Sequence, residues 1–571
     1  MTKYLFVVHY NNNKDKRQGE IIVDIHKGEI MSEIQKWWHS SVVYQIYPKS
    51  FNDSNSDGIG DIQGIISKLS YLKKLGIDVI WLTPMYQSPE IDGGYDISDY
   101  YSINPQYGSM SDFEELIQKA SELDIKIIMD LVLNHTSNLH WWFQEALKSR
   151  DNPYHDYYIW SDEPTNLQSN FTGSAWEYVP QLEQFYLHFY AKEQPDLNWE
   201  NPNLRHEIYK MINFWISKGI AGFRLDVIDL IGKQPFEGIK ENGPLLHTYL
   251  QEMHNHCFKG RDLLTVGETW GATIGNAPLY SRPDRKELSM IFQFEQINLD
   301  KIPGRQRWDL KELNLLDLKQ VFSKWQLGLE NNGWNSLFWN NHDLPRIVSR
   351  WGNDSGYYRI LSAKMLAVLL HGMKGTPYIY QGEEIGMTNP NFPTLEYYSD
   401  IETKNIIEER LAKGEDCKQL LKAIQLKARD NGRTPMQWDD TKFAGFSDTE
   451  PWTRMNPNFE KITVKQALED KDSIFYTYQF LVNLRKTNET LRFGKFELLD
   501  YNHSHVFAYR RISRNETLYI VCNFHQVETD YNLNTSNLKV LYNNYKNIHI
   551  SNNNKMVLRP YEAVILTDKK E

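Results

Sequence analysis

The sequence predicts a (β/α)8 TIM barrel with a domain inserted after strand 3 and a C-terminal antiparallel β-sandwich. Three observations support this prediction. Short apolar segments alternate with amphipathic ones eight times, acidic and polar residues collect where the apolar segments end, and the pattern changes to short alternating runs near the C-terminus. Near-continuous apolar strands separated by helices are typical of a parallel sheet buried on both faces, and eight such units close into a barrel.

The eight strand candidates are short and rich in β-branched and aromatic residues. Amphipathic segments such as DIQGIISKLSYLKKLG and SDFEELIQKASELD lie between them and predict helices. In chain order the strand candidates are VVYQIYP (42–48), VIWLTP (79–84), IKIIMDLVL (125–133), GFRLDV (222–227), LLTVGE (263–268), LSMIFQFE (288–295), LFWNNHD (337–343) and TPYIYQGEE (376–384).

Changes of pattern divide the chain into four parts. Residues 134–198 are rich in Trp, Tyr, Asn and Pro, and we expect an inserted domain there between the two parts of the barrel, 31–133 and 199–493. Residues 494–571 show short alternating runs with Asn-rich turns, which predict the β-sandwich. Residues 1–30 fit this pattern poorly and form an N-terminal extension. KGEIM can be back-translated into a purine-rich sequence of the kind that binds the ribosome just before a start codon. Both Met1 and Met31 therefore remain candidates for the initiator methionine.

Composition limits the classes of partner. The net charge of −11 argues against nucleic acid or an anionic membrane as the main partner, and no apolar run reaches the length of a membrane span. The three cysteines are scattered, which fits a reducing compartment and neither a disulfide framework nor a zinc site. We find no signal peptide and expect a cytoplasmic monomer without an organic cofactor.

Three acids end three of the predicted strands: Asp226, Glu268 and Asp343. The carboxyl ends of barrel strands form the rim where chemistry occurs, so these side chains are expected to converge. Glycoside cleavage with retention needs two carboxyl groups about 5–5.5 Å apart. The alternative is that the acids only form ion pairs with arginines of the barrel, for which Arg224, Arg346 and Arg429 are the candidates.

The surroundings of the acids suggest their roles. Asp226 and Arg224 share a strand face, so we expect the guanidinium to lower the pKa of Asp226 and keep it ionised as a nucleophile. Glu268 follows the apolar run LLTVG, so we expect an apolar wall that raises its pKa, as suits an acid catalyst. Asp343 lies beside His342 and is expected to orient sugar hydroxyls.

The segment NDSNSDGIGDIQG is a candidate calcium loop. Side-chain oxygens of Asp53, Asn55, Asp57 and Asp61, with the Ile59 carbonyl, supply the hard oxygen ligands that Ca²⁺ takes. There is no Glu at the twelfth position, so the site would be an isolated structural one. The alternative is a solvated turn that caps the helix starting near Asp61.

Several motifs resemble the α-amylase family, glycoside hydrolase family 13. DLVLNHTS, GFRLDVIDLI, LLTVGETW and FWNNHD are similar to its four hallmark regions, and QPDLN (194–198) is similar to the fifth region of its oligo-1,6-glucosidase subfamily. The resemblance implies that Asp226 is the nucleophile, Glu268 the acid/base and Asp343 the transition-state stabiliser. It also implies a set of residues that grip the non-reducing-end glucose: Asp96, His135, Arg224, His342 and Arg429.

The resemblance also bears on linkage. In this subfamily Val after the nucleophile, here Val227, goes with α-1,6 specificity. Longer segments, among them YAKEQPDLNWENPNLR, are most similar to the subfamily's dextran glucosidases, which implies an exo-acting glucosidase that releases glucose from isomaltooligosaccharides. Trp270 and Glu402 match residues that shape the acceptor side, whereas Arg307 stands where those enzymes have Lys. Calcium at the loop also fits the family.

Related activities remain open alternatives. Trehalose-6-phosphate hydrolases share the architecture and often the Val, but they tend to differ after the catalytic Glu. Isomaltulose synthases carry an Arg-Leu-Asp-Arg-Asp element that this chain lacks. A non-catalytic sugar sensor or transporter-associated chain is a more remote alternative, because such chains usually lose a catalytic acid or carry a membrane span.

Overall fold

The computed structural model describes residues 7–9, 20–22, 35–533, 535, 538–545 and 555–569. The first two ranges are the strands Val7–His9 and Glu20–Ile22, which pair antiparallel. Met31, where we placed a candidate initiator, lies outside the described residues.

Eight parallel strands form the centre of the molecule, as predicted. They are β1 (Val43–Ile46), β2 (Val79–Leu82), β3 (Lys126–Val132), β4 (Gly222–Asp226), β5 (Leu264–Glu268), β6 (Met290–Phe292), β7 (Ser336–Phe338) and β8 (Thr376–Tyr380). The hydrogen-bonded order is β6-β5-β4-β3-β2-β1-β8-β7. A parallel bridge between Ile291 and Asn335 joins β6 to β7 and closes the barrel. The TIM-barrel prediction is therefore confirmed.

Side-chain alternation along the strands separates two cores. On β5, Leu264 and Val266 point into the barrel, where they belong to an apolar cluster with Trp81 and Phe292. Side chains of opposite parity, such as Phe223 on β4, face the surrounding helices. Because the period of a strand is two, the next inward position after Val266 is Glu268, at the upper end of the barrel. The acids thus stand on top of a packed apolar floor.

Helices cover the outside of the barrel. The helix Met110–Glu122 illustrates why they form. At its start the Ser109 side chain accepts from the backbone N–H of Asp112, and the Asp112 side chain accepts from the backbone N–H of Ser109. Along its length Phe113, Leu116 and Ala120 form one buried stripe. The α-helices between β1 and β8 are Ile62–Ser67, Leu69–Leu75, Met110–Glu122, Trp141–Ala146, Pro202–Ser217, Leu246–Met253, Ala277–Ser281, Leu315–Gly328, Ile347–Arg350 and Tyr358–His371. Those after β8 are Ile401–Ala412, Cys417–Lys427, Asp430–Arg433, Val464–Glu469, Ile474–Thr487 and Glu489–Phe493.

The segment between β3 and the helix Pro202–Ser217 contains a small antiparallel sheet. Its central strand is Gln184–Leu187, flanked by Trp160–Ser161 and Trp176–Val179. An antiparallel bridge between His135 and Asp196 joins the two ends of this segment above the barrel. The insertion is therefore tied to the end of β3, at the rim where the acids stand.

The C-terminal region consists of two antiparallel sheets with an apolar layer between them. The larger has the order Lys495–Leu499, Val506–Ile512, Thr517–Asn523, Ala563–Thr567 and Lys539–Asn543, and the smaller pairs Thr529–Asn532 with Lys555–Leu558. Tyr509 donates from its hydroxyl to the carbonyl of Leu369 (2.6 Å), which fastens this region to a barrel helix. Across the residues described, none of the helices has the length and apolar character needed to span a membrane.

Candidate active site

Arg224 on β4 lies at the centre of the rim and is 1% exposed. Its Nη1 donates to Asp130 Oδ1 (2.7 Å) on β3 and to Asp226 Oδ1 (2.8 Å), while Nη2 donates to Glu268 Oε2 on β5. The register explains this grouping, because Arg224 lies opposite Asp130 on β3 and Val266 on β5. Asp226 and Glu268, predicted as a catalytic pair, therefore meet on one guanidinium.

The pKa of Asp226 differs from our expectation. Burial raises it well above its ordinary value. Arg224 offsets this only in part, because the nearby charges of Glu268 and Asp130 act in the same direction as burial. Both carboxyl groups contact the same guanidinium, Asp226 through Nη1 and Glu268 through Nη2, so they are close neighbours. The expectation that one arginine keeps Asp226 ionised is wrong because that arginine is shared among three carboxylates.

Glu268 does not stand against the predicted apolar wall. Its Oε2 accepts from Arg224 and from the backbone N–H of Val227 (3.2 Å), and its Oε1 accepts from the indole N–H of Trp270 (3.0 Å). The apolar residues that precede it face the barrel floor instead. The carboxyl group is 3% exposed yet surrounded by three donors, which fix its position and orientation.

Val227 adopts a left-handed backbone conformation with φ 35° and ψ 45°. This conformation is unusual for a β-branched residue and costs on the order of 1–3 kcal/mol. The turn directs the Val227 N–H towards Glu268. Its side chain is 4% exposed and packs in an apolar cluster that belongs largely to the inserted segment: Ala175, Trp176, Leu187, Phe189 and Leu230. The residue that follows the predicted nucleophile thus joins the catalytic pair to the insertion.

Asp343 lies above β7 in a cluster of positive charge. Its Oδ1 accepts from Arg429 Nη1 (3.2 Å) and Arg433 Nη2 (2.8 Å), and Oδ2 lies 3.2 Å from His342 Nε2. Burial by itself would raise the pKa of Asp343, but His342 and the two guanidinium groups outweigh it and hold the pKa below its usual range. Asp343 is therefore an ionised carboxylate at neutral pH.

Arg429, predicted as a sugar-binding residue, gathers further acids around the same side of the site. Its Nη2 contacts Asp92 Oδ1 (2.8 Å) and Asp400 Oδ1 (2.6 Å), and Arg433 Nη1 also donates to Asp400 (3.1 Å). Asp92, Asp400 and Arg433 were not among the site residues predicted from the sequence. The signal available for Arg433 was its position four residues after Arg429 in ARDNGRTP, which places both on one short helical turn.

Asp96 does not reach this site, although we predicted it as a sugar-binding residue. It is fully buried, and its carboxylate accepts from the Ser88 hydroxyl (3.1 Å) and from the backbone N–H groups of Ile91 (2.9 Å) and Asp92 (3.1 Å). Burial raises the pKa of Asp96 to about 7. Asp96 holds the loop, and Asp92, four residues earlier, faces Arg429.

Tyr95 and His342 form an aromatic wall next to Arg224. Their rings stack with centroids 5.2 Å apart and planes 6° from parallel, and the Tyr95 hydroxyl donates to Asp130 Oδ2 (2.9 Å). Burial lowers the pKa of His342 to about 3, so its imidazole is neutral at pH 7. The Nδ1 atom of His342 contacts Gln45 Nε2 at 2.8 Å. The two stacked rings give the rim a flat aromatic surface beside Arg224.

His135 follows β3 and pairs with Asp196 of the insertion. Burial lowers its pKa to about 4, so it is also neutral at pH 7. Its Nε2 lies 3.2 Å from Gln194 Nε2, and the same amide donates to Asp92 Oδ2 (3.1 Å). Gln194 opens the QPDLN motif, so this motif contributes a side chain that links His135 to Asp92.

The predicted acceptor-side residues lie at the outer edge of the site. Trp270 is 41% exposed and stacks on Phe294 with centroids 3.9 Å apart. Arg307 Nη1 binds both oxygens of Glu402 at 2.9 and 2.8 Å, and its Nη2 contacts the Asp343 carbonyl (3.4 Å). The charge of Arg307, which departs from the family pattern, is thus neutralised by Glu402.

The candidate calcium loop is held together by its own hydrogen bonds. Asp53 accepts from four donors: the N–H groups of Asn55, Ser56 and Gly58 and the hydroxyl of Ser447. Asp61 caps the helix Ile62–Ser67, as the alternative interpretation expects.

Two further side chains of the loop have spare capacity. The side-chain oxygens of Asn55 and Asp57 each accept one backbone N–H, from Asp57 and from Ile59. Since a carboxylate or amide oxygen has two lone pairs, both keep one free. Over the described residues, no group of three or more His, Cys, Asp or Glu is placed to hold a metal ion. Calcium binding would require Asp53 to release a donor, and it stays a prediction.

Comparisons with known proteins agree with this geometry. Residues 45–494 match the family model of the alpha-amylase catalytic domain, and residues 506–565 match that of the alpha-amylase SusG C-terminal domain. The chain is 56% identical over 532 residues to a glucan 1,6-alpha-glucosidase of Streptococcus pneumoniae, covering 93% of this chain and 98% of that protein.

Two more relatives extend the comparison. An oligo-1,6-glucosidase of Halalkalibacterium halodurans is 51% identical, with 94% of this chain and 100% of that protein covered. The crystal structure of a Bacillus licheniformis trehalose-6-phosphate hydrolase superposes with a TM-score of 0.89 at 44% identity, covering 93% of this chain and 100% of that chain. The barrel, its three rim acids and these full-length similarities lead to one conclusion: the chain belongs to the α-amylase family.

Proposed function

We propose that the protein is a retaining, exo-acting glucosidase that hydrolyses α-1,6-glucosidic bonds at the non-reducing end of isomaltooligosaccharides and dextran. The observation that carries the proposal is the pairing of Asp226 and Glu268 on the two terminal nitrogens of the Arg224 guanidinium. Retaining enzymes hold their two carboxyl groups about 5–5.5 Å apart, whereas inverting enzymes need about 6.5–9.5 Å to admit a water molecule.

In the first step, Asp226 attacks the anomeric carbon of the terminal glucose. The bond from this carbon to the glycosidic oxygen breaks, an ester to Asp226 forms, and Glu268 gives its proton to the leaving oxygen. The pair must enter this step with Asp226 ionised and the proton on Glu268, because the nucleophile has to be a carboxylate and the acid a carboxylic acid. In the second step, Glu268 takes a proton from water, whose oxygen attacks the anomeric carbon and frees Asp226.

The remaining residues of the site act on charge and position. Asp343 stays ionised between Arg429 and Arg433 and can accept hydrogen bonds from sugar hydroxyls while stabilising the positive charge that develops on the ring. Arg429 holds Asp92 and Asp400 in buried ion pairs that close one side of the site. A glucan chain would have no path through these ion pairs, which supports exo action on a terminal glucose.

The linkage and the substrate class rest on the relatives and on Val227. The relatives named for α-1,6 activity are 56% and 51% identical to this chain, whereas the superposed trehalose-6-phosphate hydrolase is 44% identical. A phosphorylated substrate needs a free cation near the acceptor sugar. Arg307 is a candidate by position, but both oxygens of Glu402 already bind it. Hydrolysis of trehalose 6-phosphate is therefore the second candidate.

A side-by-side measurement of kcat/KM on isomaltotriose, dextran, maltose, sucrose and trehalose 6-phosphate tests the proposal. We expect the α-1,6-linked substrates to be preferred and β-glucose to be absent from the initial product, because retention gives α-glucose. Dominant hydrolysis of trehalose 6-phosphate would overturn the substrate assignment. No turnover of any of the five would favour a non-catalytic sugar-binding protein, and NMR of the initial product would expose an inverting mechanism.

We also propose that the loop around Asp53 binds one structural calcium ion. The free lone pairs of Asn55 and Asp57, the Ile59 carbonyl and the carboxylates of Asp53 and Asp61 form the donor set, which has the hard oxygen chemistry that calcium prefers. Dialysed protein should then contain about one equivalent of calcium by atomic absorption, and EDTA should lower Tm. A calcium-free protein with an unchanged Tm would favour the simple helix-capping turn.

We further propose that the protein works as a cytoplasmic monomer. The scattered cysteines are consistent with a reducing compartment, and two of the three, Cys257 and Cys522, are buried as free thiols. Light scattering coupled to size exclusion should give a mass near 67.4 kDa. A mass of twice that value, or secretion of the native protein, would contradict the proposal.

A further inference from the structure

Asp229 is a buried carboxyl group close to the catalytic pair that has no part in the mechanism above. It lies in the short turn Ile228–Leu230 that follows β4 and is 0% exposed. Its Oδ2 accepts from the backbone N–H of Gly271 (2.8 Å), while Oδ1 has no hydrogen-bond partner in the part of the chain described here. Asp229 thus joins the loop after β4 to the loop after β5.

Gly271 is held on both sides of its backbone. Asp229 takes its N–H, and Asn242 Nδ2 donates to its carbonyl (3.0 Å). Asn242 is fixed in turn, because its own N–H donates to the Asp229 carbonyl (2.9 Å) and the Tyr280 hydroxyl donates to its Oδ1. A Cβ at residue 271 would lie 2.3 Å from Asn242 Nδ2, so a side chain there would displace the clamping amide.

The residue immediately before this clamp is Trp270, which touches the acid/base. Its indole N–H donates to Glu268 Oε1 (3.0 Å), and its ring lies parallel to Phe294 at 3.9 Å. Nevertheless the side chain is 41% exposed. An exposed tryptophan has several accessible rotamers, and a backbone fixed at the next residue restricts them.

We propose that Asp229 is a positioning residue: together with Asn242 it clamps Gly271 and thereby keeps the Trp270 indole on the Glu268 carboxyl group. This inference rests on the proposed function, because Glu268 matters only if the protein cleaves glycosidic bonds. Donation from an N–H to a carboxylate oxygen favours the ionised form. Loss of the clamp should therefore lower turnover and move the basic limb of the pH profile of kcat/KM to higher pH.

Two substitutions at position 229 separate the clamp from the charge. Burial raises the pKa of Asp229 to about 8, so Asp229 presents a largely neutral carboxyl group at neutral pH. Asp229→Asn keeps an oxygen for the Gly271 N–H, and we expect kcat/KM within about twofold of the parent protein. Asp229→Leu keeps the volume but loses the acceptor. We expect kcat/KM to fall about 10- to 100-fold, the effect of small misplacements of catalytic groups, with the loss mainly in kcat.

A second readout does not depend on turnover. The protein is labelled with 5-fluorotryptophan, and the ¹⁹F resonance of Trp270 is assigned by its absence in Trp270→Phe. We expect that resonance to be unchanged in Asp229→Asn and to shift or broaden in Asp229→Leu. If no substrate is turned over, the proposed function fails, but the resonance still reports whether the clamp holds the indole.

Two further variants complete the test, one as a matched control and one as a replacement if Asp229→Leu does not fold. Glu287→Gln changes another carboxyl group near the same loops, one that is 4% exposed and accepts from His247, Gln251 and Arg285, and it should leave both readouts unchanged. If Asp229→Leu does not fold, Gly271→Ala tests the same clamp from its centre and should reproduce both effects. A folded Asp229→Leu with the parent pH profile, kcat and Trp270 resonance would overturn the inference.

Discussion

Removal of Arg224 tests how one buried cation compensates the carboxylates at the rim of the barrel. Arg224→Met keeps most of the volume but deletes the cation that contacts Asp130, Asp226 and Glu268. Breaking a buried ion pair by removing one partner typically costs about 3–5 kcal/mol, because the other charge stays buried without compensation. We expect a penalty of this size at pH 8. With an unfolding entropy of about 2.1 cal/mol/K per residue over the chain, this corresponds to a decrease in Tm of about 2.5–4 °C.

The penalty should depend on pH in a defined direction. In the parent protein burial already raises the pKa of Asp130 to about 6 and that of Asp226 well above its ordinary value. Without Arg224 both rise further. A carboxyl group whose pKa is higher in the folded state than in the unfolded state stabilises the fold below its unfolded pKa, and this contribution is lost as pH rises through the folded pKa. The decrease in Tm caused by Arg224→Met should therefore be larger at pH 8 than at pH 5.

The matched control is Arg485→Met. Arg485 is also fully buried, but among the described residues its guanidinium binds only the carbonyl groups of Gly375, His371 and Met373. Its removal leaves neutral acceptors, so its penalty should be nearly the same at pH 5 and pH 8. Differential scanning calorimetry at a fixed scan rate measures both variants. Equal penalties at the two pH values for Arg224→Met, or an equally strong pH dependence for Arg485→Met, would refute the charge balance described for the rim.

Four further substitutions test individual acids. Asp226→Asn should lower kcat/KM by several orders of magnitude without lowering Tm, and near-normal turnover would exclude Asp226 as the nucleophile. Asp92→Asn should lower kcat/KM about 10- to 100-fold, because Arg429 loses a charged partner that holds it in place. Asp96→Asn should instead lower Tm, since an amide N–H₂ would face a backbone N–H donor. If Asp96→Asn lowered kcat/KM and Asp92→Asn lowered only Tm, the original prediction of Asp96 as the sugar-binding residue would be restored. The pKa of Asp343 is lower in the folded protein than in the unfolded chain, so the ionised carboxylate stabilises the fold above the unfolded pKa of about 3.9. Asp343→Asn should therefore have a lower Tm than the parent protein from pH 8 to pH 5, and the difference should shrink only below about pH 4. Thermal scans across this pH range measure it.

Much of the site could be predicted because strands have a strict period of two. The alternation that places Leu264 and Val266 inside the barrel also places Glu268 there, and the same argument groups Arg224 with Asp226. Parallel strands end at one rim, so residues far apart in sequence meet there. The hallmark motifs added roles to these positions, and the fold prediction needed neither contacts nor distances.

Loops were less predictable because a few dihedral angles decide which side chain faces the site. In DGGYD, Asp92 and Asp96 are equivalent by residue type, and only the folded loop turns Asp92 to Arg429 and Asp96 to backbone N–H groups. The left-handed conformation of Val227 has no signal in the sequence either, since β-branched residues rarely adopt it. Its burial against the insertion stabilises it.

The barrel, the order of its strands along the chain and the three acids at its rim follow from the amino-acid sequence, because local periodicity and the end of each strand specify them. Which charges act on each acid depends on the folded protein. Asp226 shares its arginine with two other carboxylates, and Glu268 sits among three donors instead of an apolar wall. A pKa depends on burial and on every charge within a few ångströms, and those neighbours come from strands and loops that are distant along the chain.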